Sequence, residues 1–126
     1  MSQRFGTTTK AMNMNNKSRK QKGRYLQNLV RDRIFKLFPS LTKDDIRCSL
    51  MSESGADIKL MSLTARKLFP YSVECKNREE YRTLYKHFKQ AIKHTNLQPL
   101  LIVKMNREKP LAIVSMEHLF NLLDEI

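Results

Sequence analysis

Two cysteines in 126 residues are too few for a disulfide framework. Cys48 and Cys75 show neither a CxxC nor a Cys/His spacing, which argues against zinc. Both fall in expected strands and suit a reducing compartment. No apolar run approaches the roughly 20 residues of a membrane span, and no signal-peptide-length apolar stretch follows the basic N-terminus. A soluble, cytoplasmic protein with no membrane partner is expected. Acidic residues are also scarce, 12 Asp and Glu against 24 Lys and Arg, for a formal charge of +12. Such an excess attracts polyanions through its long-range field and through counterion release, so nucleic acid leads the partner classes. An anionic membrane surface or a ribosome-associated basic domain is the alternative that charge alone leaves open. His87, His94 and His118 are not spaced as a metal cluster, and the methionines are spread as core filling or tail composition.

The length suits one domain with one core. Residues 1–22 contain no acidic residue and few large apolar ones, which predicts a basic disordered tail ahead of a single domain over 23–126. From Gly23, the residues Leu26, Leu29, Val30, Ile34, Leu37 and Phe38 recur at helical spacing, and Pro39 ends the helix. Strands are expected over Ile46–Met51 and Ala56–Met61. A short helical turn capped by Ser62 follows and ends at Phe69-Pro70, before a third strand through Tyr71–Asn77. A helix over Glu79–His94 carries an apolar face and a basic back. Pro99–Met105 and Pro110–Ser115 form a hairpin, and Ser115 caps a last helix. The order αβββαββα predicts an α/β fold with a central mixed five-stranded sheet flanked by helices. No internal repeat is present.

On an extended strand, Glu74 and Lys76 face one side while Val73 and Cys75 face the other. If Asp57, 17 residues upstream, ends a neighbouring strand, two carboxylates and an ammonium converge. Asp57 and Glu74 offer hard oxygen ligands to Mg²⁺, with Mn²⁺ able to substitute, and the backbone carbonyl of Cys75 is a further oxygen of the same kind. Lys76 would orient or deprotonate an attacking water and balance charge. Asp57, Glu74 and Lys76 are the candidate catalytic residues. The plain alternative is that Glu-x-Lys is a surface ion pair in a highly charged chain.

Gly55-Ala56-Asp57 and Val73-Glu74-Cys75-Lys76, in this element order, resemble the PD-(D/E)xK nuclease superfamily over roughly residues 23–123. The resemblance implies a restriction-endonuclease-like core and a metal-dependent deoxyribonuclease that hydrolyses phosphodiester bonds. The small size and the Lys22-Gly23-Arg24 opening look most like Holliday-junction resolvases and phage recombination endonucleases. Those act as homodimers on branched DNA with two metal ions per site, and a phage enzyme would work in the host cytoplasm. They often carry a Glu four residues after the glycine of the first helix. Gln27 stands there, a carbonyl ligand without charge, which leaves the second metal open. Several members place a Gln on the helix after the active strand, which Gln90 matches. Lys20, Lys22, Arg24, Gln27, Arg31, Asn77 and Gln90 are the candidate nucleic-acid contacts, and no small-molecule cofactor is expected. A non-catalytic nucleic-acid-binding module, in which Asp57, Glu74 and Lys76 form only a charged strand face, is the competing reading. A site-specific homing or restriction-type nuclease is a variant of the first, although the chain is short for sequence readout.

Overall fold

The computed structural model describes residues 8–78, 80–94 and 96–126, with side chains from residue 20 onward except that of His94. The chain divides into two compact units, Met1–Asn77 and Arg78–Ile126, where a single domain over 23–126 is expected.

The first unit opens with α1, Thr8–Leu37. Helix therefore covers residues 8–22 of the expected disordered tail, and residues 1–7 lie outside the described residues. The stretch contains no proline, and adding turns to an existing helix is far easier than nucleating one, so the packed part of α1 can propagate toward the N-terminus. The apolar stripe of α1 is buried at Val30 and Ile34 and half-buried at Leu26, Leu37 and Phe38. Beneath it, β1, Ile46–Cys48, pairs antiparallel with β2, Ile58–Leu60, with Ile46 opposite Leu60 and Cys48 opposite Ile58. Ile34, Ile46 and Ile58 are essentially inaccessible and form the centre of the core, joined by Leu41, Ala65 and Phe69.

The β1–β2 loop is stiff. Ser52 and Gly55 adopt positive φ of 67° and 95°, and a Cβ on Gly55 would meet the Lys59 ammonium, which donates to the Ser54 carbonyl. The Arg47 guanidinium grips Glu53 with both arms, at 3.0 and 2.8 Å, and Glu53 also accepts the Leu50 N–H at 2.7 Å. These bonds, the Arg47 pair first, hold the Glu53 carboxyl down at about 2. Next comes α2, Leu63–Leu68, whose first turn is capped by the Ser62 hydroxyl accepting the Ala65 N–H at 3.0 Å. Pro70 disfavours helix at Phe69, and the Tyr71 N–H closes back on the Phe69 carbonyl at 2.9 Å, a three-residue turn that reverses the chain.

The second unit contains α3, Arg82–His94; a hairpin of β3, Leu101–Val103, and β4, Leu111–Ile113; and α4, Met116–Asp124. Arg107 takes φ of 68° in the hairpin turn, and Ser115 caps α4 by accepting the His118 N–H at 3.0 Å. The apolar side of α3, with Leu84, Phe88 and Ala91 half-buried, packs on β3.

The central five-stranded mixed sheet is therefore not formed. Among the described residues there are two separate two-stranded antiparallel sheets, one in each unit. The third expected strand, 71–77, runs beside the start of β2 without joining it. Its Val73 carbonyl accepts the Asp57 N–H at 2.8 Å, but the Cys75 N–H, which would continue a ladder, goes to the Asp57 carboxylate instead.

Two outcomes test this packing. Ile34→Ala empties a fully buried site and is expected to lower unfolding free energy by about 2–5 kcal/mol in chemical denaturation. Because the Glu53 carboxyl is depressed in the fold, its contribution is full above the ordinary carboxylate range and fades as pH falls from about 4.5 toward 2. Thermal melts across that window should show a loss of stability in the wild type that Glu53→Gln, already less stable at neutral pH, lacks.

Candidate functional site

Asp57 sits at a bend immediately before β2. In a regular antiparallel ladder, a hydrogen-bonded residue directs its N–H and C=O to the same partner. Here they diverge: the Asp57 N–H donates to Val73, and its carbonyl accepts the Ser49 N–H at 2.8 Å from the end of β1. The side chain makes the third connection, Oδ2 accepting the Cys75 N–H at 2.7 Å. The acid is thereby held against the middle residue of Glu74-Cys75-Lys76.

That segment alternates as an extended chain should. Val73 and Cys75 are half-buried, while Glu74 and Lys76 face outward and pair with each other, Lys76 Nζ to Glu74 Oε2 at 3.2 Å. Their side chains are 61% and 51% exposed, so the pair is well hydrated and a ligand can displace it cheaply. The Cys75 thiol is pushed up to about 11, mainly by burial and then by the Asp57 carboxylate. A thiol held in its neutral form is a poor nucleophile at neutral pH. Cys48 is likewise raised, chiefly by burial, and its thiol lies 3.6 Å from Asn28 Oδ1 of α1.

The other predicted contacts separate. The Asn77 side-chain amide donates to the Lys22 carbonyl at 3.0 Å, which ties the end of the segment to α1. Arg31 pairs with Asp32 at 3.0 Å and lies close enough to Cys48 to act on its thiol, so its role is partly internal. Lys20 and Arg24 are exposed, while Lys22 is half-buried. Gln27 is half-buried on α1, and among the described residues no hydrogen bond joins it to Asp57 or Glu74. Gln90 belongs to the second unit, on an exposed face of α3.

The oxygens of Asp57, Glu74 and the Cys75 carbonyl suit a hard divalent cation such as Mg²⁺, which takes few protein ligands and keeps several waters. Among the described residues, no cluster of three His, Cys, Asp or Glu able to hold a metal is present, so any such ion would depend on two carboxylates and backbone oxygen. Two features escaped the residue pattern. The Arg47–Glu53 clamp joins residues six apart around a loop, with no local signal beyond opposite charge. The basic back of α3 is legible in the sequence, but composition alone does not mark Tyr81 and Tyr85 as lining the same groove.

Comparison with protein families, curated proteins and solved structures gives no match.

Replacing Asp57 by Ala leaves the Cys75 N–H without its acceptor, whereas Asn retains an acceptor oxygen. A hydrogen bond to a charged group contributes about 1.5–3 kcal/mol. Amide exchange at Cys75 should therefore accelerate by roughly 10- to 100-fold in Asp57→Ala and much less in Asp57→Asn, read by hydrogen-exchange NMR.

Proposed function

We propose that the chain is a metal-dependent endonuclease that hydrolyses phosphodiester bonds in DNA, acting on branched substrates in the cytoplasm as a homodimer. The observation that carries this reading is the 2.7 Å bond from Cys75 N to Asp57 Oδ2, which sets an acid beside an outward-facing Glu-x-Lys. The strong positive charge supports a nucleic-acid substrate. Among the described residues, no helix is long and apolar enough to cross a membrane.

Asp57, Glu74 and the Cys75 carbonyl would hold Mg²⁺, which when bound supplies Lewis-acid neutralisation of charge at the scissile phosphate. The protein's own groups divide the remaining work. Lys76, paired with Glu74, brings positive charge to the phosphate and orients the attacking water through its N–H donors. Asp57 holds the Cys75 backbone, and with it the Glu74 and Lys76 side chains, in position. Exposure of both side chains leaves the site open to a substrate as large as a duplex.

One observation favours a second reading. Glu74 and Lys76 already satisfy each other, and no third acidic or imidazole group joins them among the described residues, as would suit a binding module without catalysis. Calorimetry with Mn²⁺ separates the two: binding that is lost in Asp57→Asn supports the nuclease, and no binding supports the module.

A labelled panel of four-way junctions, flaps and linear duplexes, with and without Mg²⁺, tests activity directly. Glu74→Ala and Lys76→Ala should each lower cleavage by at least about 100-fold while DNA affinity stays within a few-fold. Intact DNA in every lane with wild-type protein and Mg²⁺ would overturn the enzyme assignment.

A further inference from the structure

The second unit carries a groove lined by Arg78, Tyr81, Arg82, Tyr85, Lys86, Lys89, Gln90 and Lys93. At 100° per residue, Arg82, Lys86, Lys89 and Lys93 fall on one stripe of α3, and Arg78 precedes it in line. Within α3 no residue is acidic, and none of the ion pairs among the described residues engages the stripe. Arg82 and Lys86, Lys86 and Lys89, and Lys89 and Lys93 are like charges three or four apart, an arrangement that repels itself. The two cations nearest the helix start, Arg78 and Arg82, also oppose the helix dipole. A polyanion laid along the stripe relieves both. From Arg82 to Lys93 the helix rises about 16 Å, the axial length of about five phosphates along one strand of a duplex.

Tyr85 discriminates between kinds of polyanion. Its side chain is 61% exposed within this cationic groove. A basic groove with an aromatic ring is the arrangement that binds single strands, because the ring stacks on an unpaired base while the cations follow the backbone. Inside a duplex both faces of a base are covered by its stacked neighbours.

We propose that the α3 groove binds a single-stranded segment of nucleic acid, with Arg82, Lys86, Lys89 and Lys93 on its phosphates and Tyr85 stacked on a base. This rests on the reading of the chain as one that acts on nucleic acid, and gives it a preference for substrates with unpaired bases, as flaps have.

Fluorescence anisotropy with a short labelled DNA single strand, and with the same strand in duplex, tests it in metal-free buffer over a salt series. Each phosphate contact on a single strand contributes about 0.7 to the slope of log affinity against log salt. The triple variant Lys86→Gln, Lys89→Gln, Lys93→Gln should lower that slope by about 2, and each single substitution by about 0.7 should the triple variant lose helix by circular dichroism. Tyr85→Ala should weaken single-strand binding about tenfold and leave duplex binding unchanged. The inference is overturned if the slope does not change. It is equally overturned if Lys36→Gln, Lys43→Gln, Lys67→Gln, exposed in the first unit, lowers the slope as much, or if wild type binds neither DNA. Equal loss on both DNAs in Tyr85→Ala, or none on either, overturns the single-strand assignment. Absence of cleavage with stripe-dependent binding intact would count against the nuclease alone.

Discussion

The first unit turns on the three hydrogen bonds of Asp57, because they join three stretches of chain at one residue. Its carbonyl receives the end of β1, its N–H reaches Val73, and its carboxylate takes the Cys75 N–H. One residue at a bend thus holds the end of the β1–β2 loop and the Glu-x-Lys segment in register. The carboxylate also explains why that segment is not a strand. A side chain supplies the acceptor that a regular ladder would draw from the backbone, which leaves the segment extended and anchored but outside the sheet. Buried N–H groups need acceptors, and a charged one fixes the position of its donor more strongly than a neutral one.

Around this point, rigidity and exposure are divided. The β1–β2 loop is fixed by positive-φ residues and by the two-armed Arg47–Glu53 pair, while the isoleucines of α1, β1 and β2 supply the dry support below. Glu74 and Lys76 stand outside that support, more than half in water, where an ion pair is weak and exchangeable. A firm backbone beneath hydrated charges is the arrangement that the proposed nuclease site would use to admit a phosphate and release it. Burial of the Cys75 thiol between those charges keeps a potentially reactive group out of the chemistry.

Much of the local architecture was legible because its causes are local. Ser62 and Ser115 cap the helices that follow them, Phe69-Pro70 ends α2, and residues 73–76 alternate between half-buried and exposed. The start of α1 was misread because composition marks residues 1–22 as unable to bury a core, whereas a helix already packed at Val30 and Ile34 can extend without burying more. The five-stranded sheet was misread for a different reason. Apolar alternation identifies extended chain but does not say where each N–H finds its acceptor, and two short hairpins satisfy the same pattern.

For the candidate site, the sequence by itself determined the chemistry on offer: an acid, an acid and a base two apart, and an excess of cations to draw a polyanion. These follow from residue type and from the two-residue period of extended chain. Only the tertiary structure decided that the Asp57 side chain, rather than its backbone, meets Cys75, and that, among the described residues, Gln27 makes no hydrogen bond to either acid. Each of those depends on the direction of a group in space, and direction is set by packing between elements that the local sequence pattern does not encode.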